Sequence, residues 1–208
     1  MLKRDSNAML QLAGSRIGEN MLIRALVYTT LLFASTGFAF AGPVQDKAAQ
    51  AEAALSEDKG AEAVALMREA IFEVWKQAPL SIPTATFVTA PADGYGIFTP
   101  RPDNSFPVGE TLLVYLEPIG FDWKAVDGFY TSLLTVDFDL TSQDGKVLAG
   151  QKGFGKFDFK SHVPNSEYMA NLTLNVSGAP AGDYVLVLTV NDENGGGSAK
   201  VQLPFSIQ

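Results

Sequence analysis

The spacing of hydrophobic positions changes near residue 80 and divides the chain into a helical part and a β-rich part. Over residues 45–77 the chain is free of proline and rich in Ala, Glu and Lys, which are good helix formers. The polar stretch 56–60 interrupts this segment, so the pattern predicts a helical hairpin within residues 42–80. Pro79 and Pro83 are expected to end its second helix. That helix is amphipathic, and its apolar face carries Val64, Met67, Ile71, Val74 and Trp75.

Alternation of apolar and polar residues takes over at residue 84 and continues to residue 208. Clusters of Gly, Pro, Asn and Asp separate the alternating runs, which predicts about eight strands joined by turns. In the clearest run, "YTSLLTVDFDL", Leu134 and Val136 are expected to face the core while Asp137 and Asp139 face solvent. The runs lie at residues 84–90, 111–117, 130–140, 146–151, 154–160, 168–177, 183–190 and 198–207.

Strands with one apolar and one polar face are typical of antiparallel sheets that bury one side, and two such sheets pack into a β-sandwich. The stretch "GDYVLVLTVNDENGGGSAKVQLPFSI" resembles the closing hairpin of bacterial immunoglobulin-like modules, through Gly182, Tyr184, Asp192 and Phe205. The resemblance implies a mainly β fold, an immunoglobulin-like antiparallel β-sandwich over residues 84–208. The stretch "GYGIFTPRPDNSFPVGETLLVYLEPIGF" is similar to a family of uncharacterised secreted proteins from alphaproteobacteria. That family has no known activity, so it implies no functional residue.

Residues 21–41 have the layout of a secretory signal peptide. Arg24 gives a charged start, an apolar run follows, and Ala39 and Ala41 place small residues where a signal peptidase reads them. The run falls short of the about 20 apolar residues that a spanning helix needs, so an uncleaved anchor is the less favoured alternative. Residues 1–20 fit a misassigned start codon, or else a long charged leader. Cleavage near Ala41 predicts a periplasmic or secreted protein with no stable membrane span.

The composition after cleavage narrows the range of partners. Removing residues 1–41 from the 208 leaves 167 residues, enough for one domain plus an appendage. The remaining part keeps 11 of the 15 basic and 21 of the 23 acidic residues, so its formal net charge is −10. Such an acidic protein repels nucleic acid and anionic membrane surfaces, which disfavours both as partners. The chain has no cysteine, so it holds neither a disulfide nor a cysteine-linked lipid.

The residue types that carry catalysis or hold metals are sparse. His162 is the single histidine, it lies in a predicted loop, and no nucleophile motif accompanies it. One histidine and no cysteine disfavour zinc and copper sites. The carboxylates of Asp137 and Asp139, or of Asp192 and Glu193, do not match the spacing of a calcium loop. No phosphate-binding glycine motif occurs either. The sequence therefore predicts no metal site and no cofactor, and it predicts that the protein is not an enzyme.

Aromatic side chains concentrate in residues 95–130, next to Arg and Glu residues. Aromatic residues with arginine are typical of the dominant positions in protein interfaces, and the faces of Tyr and Trp rings suit stacking on sugar rings equally well. The alternative is that these aromatics fill the core and close one end of the sandwich. As a binding surface, the candidate residues are Tyr95, Phe98, Arg101, Phe106, Tyr115, Glu117 and Trp123.

Together these features predict an exported, non-catalytic binding or adaptor protein of the bacterial cell envelope that contacts a protein partner. The contact surface would be the 95–130 region, with a contribution from the helix face that bears Trp75. A carbohydrate-binding module is the alternative, with Trp123, Tyr95 and Tyr115 as stacking platforms. A hydrolase that uses outward carboxylates such as Asp137 is the least favoured hypothesis.

Overall fold

Two helices joined by a tight turn come first in the computed structural model, which describes residues 42–208. Helix α1 spans Pro43–Ser56 and helix α2 spans Gly60–Trp75. Pro43 occupies the first turn of α1, where its missing N–H removes no hydrogen bond. The predicted signal peptide at residues 21–41 and the predicted extension at residues 1–20 lie outside the described residues.

Nine strands follow the helices within the described residues and form two sheets. They are β1 (Ser81–Phe87), β2 (Ser105–Phe106), β3 (Thr111–Ile119), β4 (Lys124–Val126), β5 (Phe129–Ser142), β6 (Val147–Ser161), β7 (Ala170–Asn175), β8 (Gly182–Asp192) and β9 (Ser198–Ile207). One sheet has the order β1-β3-β7, and the other has the order β2-β9-β8-β5-β4, with β6 also paired to β5. The pairs are antiparallel except β2 with β9, which run parallel, a pairing that the alternation did not predict.

The two sheets pack through the apolar faces that the alternation predicted. Leu112, Val114 and Leu116 of β3 are fully buried, and so are Leu186 and Leu188 of β8. They belong to one continuous core, which excludes water from the inner faces of both sheets. The predicted fold class is confirmed: the chain is mainly β, an immunoglobulin-like β-sandwich preceded by a short helical pair.

Strand β1 begins earlier than the sequence predicts. It starts at Ser81 rather than at residue 84, and Pro83 lies inside it instead of helping to end α2. Proline is tolerated here because β1 is an edge strand and its pairing register with β3 shifts between Ser81 and Thr84. The prediction that Pro83 closes the helical segment is therefore wrong.

Strand β6 is continuous where two strands were expected. Its register against β5 shifts at a bulge, and Asp137 of β5 holds that bulge by accepting hydrogen bonds from the Gly153 N–H at 2.7 Å and Lys152 Nζ at 2.9 Å. Asp137 is only 8% exposed, so the expectation that it faces solvent is wrong. Burial raises the pKa of Asp137, but these hydrogen bonds and one from Asn191 outweigh burial and hold the pKa below its usual range.

The helical hairpin is joined to the sandwich through Trp75, the last residue of α2. Its indole Nε1–H donates to the backbone carbonyl of Phe121 at 2.7 Å, and its ring meets the Phe121 ring edge to face at 5.2 Å. Trp75 is 9% exposed and belongs to the sandwich core. Residues 42–208 therefore form one compact unit, a point on which the sequence is silent.

Candidate functional site

Helix α2 carries a row of aliphatic side chains that no other element of the described chain covers. Val64, Met67, Ile71 and Val74, here called the α2 stripe, lie on one face of the helix and are 53%, 45%, 47% and 52% exposed. The amphipathic pattern predicts that they share a face, and they do so. A soluble helix normally turns such a face to the core, whereas only Trp75 of the predicted face is buried.

The stripe stays open because α2 meets its neighbours through other faces. Helix α1 packs on it through small residues: Ala51 and Ala54 meet Ala63, with Leu66 beside them. The sandwich takes the C-terminal end of α2 through Phe72 and Trp75. A contact made by alanines brings two helices close together and leaves the larger aliphatic side chains outside it. The helix is therefore apolar on more faces than its two neighbours cover.

Beside α2 lies a cleft between the helix and one end of the sandwich, with a volume of about 730 Å³. That volume falls within the range of small-molecule sites, and clefts between structural units are common binding places. Its aromatic walls include Phe72, Trp123 and Tyr130, and Arg68 and Lys76 contribute polar groups. Trp123 lies against Phe121, with ring centroids 5.5 Å apart, so its orientation is set by the core.

Three of the seven residues predicted as a binding surface, Phe98, Tyr115 and Glu117, hold a loop in place instead. The loop of residues 88–104 covers the outer face of the three-stranded sheet, where Tyr115 is fully buried beneath it. Phe98 stacks on Tyr115 with ring centroids 4.1 Å apart. The Tyr115 hydroxyl donates to Glu117 Oε1 at 2.6 Å and accepts from the Gly96 N–H at 2.8 Å. Tyr115 and Phe98 are thus packing residues, and Tyr115 cannot be a stacking platform for a sugar.

Arg101 and Phe106 are also structural. The Arg101 guanidinium donates to Glu110 Oε1 at 2.6 Å and to the Ser105 carbonyl at 2.8 Å, and it lies over the Phe106 ring at 4.1 Å. Phe106 is 1% exposed and packs against Phe87 in the core. The hypothesis that Arg101 and Phe106 contact a partner is therefore corrected, because the terminal nitrogens of Arg101 already donate within the chain and Phe106 is buried in the core.

Tyr95 and Trp123 are the two predicted site residues that remain available to a ligand. Tyr95 is 42% exposed at the tip of the 88–104 loop, next to Ile97, which is 61% exposed. The side-chain amide of Asn171 fixes the base of this loop by donating to the Ala92 carbonyl and accepting from the Ala92 N–H, both at 2.9 Å. The structure does not bring Tyr95 and Trp123 into one site: Trp123 lines the cleft beside α2, whereas Tyr95 is not among its lining residues.

The Tyr115 hydroxyl gives the loop a dependence on alkaline pH. Burial, and then the hydrogen bond to Glu117, raises the pKa of Tyr115 from 10.0 to about 12. The folded state favours the neutral phenol, so its stabilising contribution is complete below pH 10 and is lost as the pH rises through about 12. We expect the difference in unfolding free energy between the wild type and Tyr115→Phe to shrink across that interval. Urea unfolding at several pH values measures it, with exposed Tyr95→Phe as the control, and a constant difference would contradict the assignment.

Asp137 and Asp192, two of the carboxylates singled out in the sequence, serve the fold. Asp192 is 5% exposed and accepts hydrogen bonds from the Asp122 N–H at 2.8 Å and the Asn194 N–H at 2.9 Å, which fixes the turn between β8 and β9. Within residues 42–208, no three His, Asp or Glu side chains gather closely enough to hold a metal ion. The His162 ring packs against the Phe129 ring, with centroids 4.6 Å apart and planes tilted by 31°.

No helix in the described part of the chain is long and apolar enough to cross a membrane.

Comparison with known proteins gives only distant likenesses. No family model matches the chain, and no curated protein matches it. A PKD domain of an M14-like peptidase from a Thermoplasmatales archaeon is 13% identical over 62% of this chain and 96% of that chain, with a TM-score of 0.33. A superoxide reductase from Ignicoccus hospitalis is 10% identical over 64% and 84%, with a TM-score of 0.34. The CARDB domain of a Pyrococcus furiosus protein is 14% identical over 62% and 92%, with a TM-score of 0.25. None of these likenesses carries an activity over to this chain.

Sequence reasoning named the helix face that bears Trp75 as a secondary contribution to a contact surface, but it did not single out the α2 stripe as the candidate site. The amphipathic pattern alone reads as a face turned to the core. A further signal lies in the alanines Ala51, Ala54 and Ala63, which offer the two helices a close contact of their own. A helix that packs through alanines has no need to bury its larger aliphatic side chains against the same neighbour.

Proposed function

We propose that the protein is an exported, non-catalytic binding or adaptor protein of the cell envelope that contacts a protein partner through the α2 stripe. The observation that carries the proposal is the exposure of about half of each of four aliphatic side chains, from Val64 to Val74, on one helix face. Contiguous apolar patches exposed on a soluble protein mark interaction sites. Helix α2 is also tied to the sandwich by Trp75, so the stripe is held on a rigid support and needs little ordering on binding.

The start of α1 agrees with export. Helix α1 begins at Pro43, two residues after the predicted cleavage position Ala41. A peptidase that cuts the bond between Ala41 and Gly42 would leave both helices of the hairpin whole. The function proposed for the hairpin is therefore compatible with removal of the predicted leader.

Photo-crosslinking in intact cells tests the proposal. A photo-activatable residue in place of Val74 is expected to capture one reproducible envelope protein, identified by mass spectrometry. The same residue in place of Val147, which is 58% exposed on β6, is the matched control and is expected to capture nothing comparable. Ile71→Gln is expected to abolish the capture from position 74 because it places an amide in the middle of the stripe. Equal capture from both positions, or capture that survives Ile71→Gln, would contradict the proposal.

A carbohydrate-binding function is the second candidate, and the cleft beside α2 favours it. Trp123 and Tyr130 both line the cleft, whose volume of about 730 Å³ accommodates one or two sugar rings. The absence of a captured protein together with saturable quenching of tryptophan fluorescence by a glycan would favour this function over the adaptor. Trp123→Phe would then be expected to remove most of that response.

A further inference from the structure

The spacing of the α2 stripe indicates what kind of element covers it. Val64, Met67, Ile71 and Val74 follow one another at intervals of three, four and three residues. This is the spacing of the apolar seam along which two helices interlock their side chains. A single strand or an irregular loop presents its side chains at a different period and matches such a row less well than a helix does. The complementary surface is therefore the apolar face of another helix, in the manner of amphipathic helices that lie on apolar surfaces.

The charges of the hairpin indicate the polar character of that helix. Residues 43–76 contain seven acidic and four basic residues, a net charge of −3. Each lysine of the hairpin is already paired, Lys47 with Glu69, Lys59 with Glu57 and Lys76 with Glu73. Among the described residues, the carboxylates of the hairpin without an ion pair are Asp46, Glu52, Asp58 and Glu62, against one such cation, Arg68. The uncompensated charge is acidic and attracts a basic partner.

We propose that the α2 stripe binds an amphipathic α-helix of a partner protein, with aliphatic residues at helical spacing on one face and Lys or Arg on the other. This inference rests on the proposed function and specifies its partner. A second copy of the chain fits less well, because two copies of residues 42–208 would each carry a net charge of −10. The stripe also exposes on the order of 300 Å² of apolar surface, which is the size of a functional patch. Each partner in a stable dimer buries about 800 Å², so the stripe alone is too small for a dimer interface.

Binding of synthetic helices to the purified protein tests the inference by fluorescence anisotropy. The probe is a capped peptide of about 18 residues, or about five turns, with Leu at helical spacing and Lys elsewhere. Two control peptides separate the contributions: one has Glu in place of Lys, and one has the same Leu and Lys residues in a scrambled order. We expect the patterned Leu/Lys peptide to bind at least about tenfold more tightly than either control, with an affinity that falls as salt rises.

Two protein variants show where the peptide binds. Ile71→Lys places a charge in the centre of the stripe and is expected to weaken binding of the patterned peptide at least about tenfold. Val147→Lys adds the same charge at a similarly exposed position on β6 and is expected to leave the affinity within about twofold. Ile71 is 47% exposed, so both variants are expected to fold, which the unfolding midpoint in urea verifies.

Four results would overturn the inference. Equal binding of the patterned and scrambled Leu/Lys peptides would mean that charge alone drives the association. Equal binding of the Leu/Glu peptide would refute the basic character of the partner. A stable dimer by light scattering that Ile71→Lys converts to monomer would assign the stripe to a second copy. If none of the peptides binds while position 74 still captures an envelope protein, the proposed function is retained and the proposal of an amphipathic basic helix is refuted.

Discussion

Replacing Trp75 by alanine is expected to lower the free energy of unfolding by about 3–5 kcal/mol. The indole is 9% exposed, packs edge to face on Phe121 and donates a hydrogen bond to the Phe121 carbonyl at 2.7 Å. Truncation leaves a cavity at the junction of helix and sandwich and leaves that buried carbonyl without its donor. The loss also frees the C-terminal end of α2, so the hairpin is expected to lose protection from amide hydrogen exchange before the sandwich does.

Two variants separate the packing of Trp75 from its hydrogen bond. Trp75→Phe keeps an aromatic ring but removes the donor, so we expect a loss of about 1–3 kcal/mol. Val74→Ala, at the neighbouring residue with 52% exposure, is expected to change the stability by less than about 0.5 kcal/mol. Urea unfolding curves with a common slope measure all three variants. A Trp75→Ala protein that unfolds at the wild-type urea concentration would show that the hairpin is not anchored through this side chain.

The sandwich could be predicted from the sequence because burial on one face leaves a period-two pattern. Leu112, Val114 and Leu116 alternate with outward residues, and all three are fully buried. The same rule fails one residue away, at Tyr115. That side chain points to the outer face, yet it is fully buried because a loop that starts 27 residues before it in the sequence folds across that face. Alternation reports which face a residue occupies and says nothing about what lies over the face.

The candidate site was harder to predict for the same reason. The apolar positions of α2 define a face by periodicity, but the helix has two neighbours that compete for its faces. Helix α1 packs on the alanine face, and the sandwich packs on Trp75. The side chains of the α2 stripe therefore remain exposed. Contacts between residues far apart in the sequence decide which face each neighbour covers. Such contacts cannot be inferred from the periodicity of a single sequence. The clustered aromatics of residues 95–130 misled in the opposite direction, because Phe106, Tyr115 and Phe121 are buried inside the protein.

Phe106→Ala is expected to lower the free energy of unfolding by about 3–5 kcal/mol, the effect of emptying a core position rather than of trimming a binding surface. Phe106 is 1% exposed, and its ring centroid lies 5.0 Å from that of Phe87 and 5.8 Å from that of Phe205. Its removal also takes away the ring beneath the Arg101 guanidinium, which lies 4.1 Å above it.

Tyr95→Ala supplies the matched comparison for Phe106→Ala, because both residues were predicted to contact a partner and only Tyr95 is exposed. Because Tyr95 is 42% exposed, Tyr95→Ala is expected to lower the free energy of unfolding by less than about 0.5 kcal/mol. Within one predicted surface, the Phe106 variant is therefore expected to be strongly destabilised and the Tyr95 variant is not. Urea unfolding measures both changes in stability. Equal, small effects would mean that Phe106 is not part of the core and would restore the aromatic cluster as a surface. A large effect at Phe106 alone would confirm Phe106 as a core residue and leave Tyr95, the α2 stripe and the cleft as candidate contact surfaces.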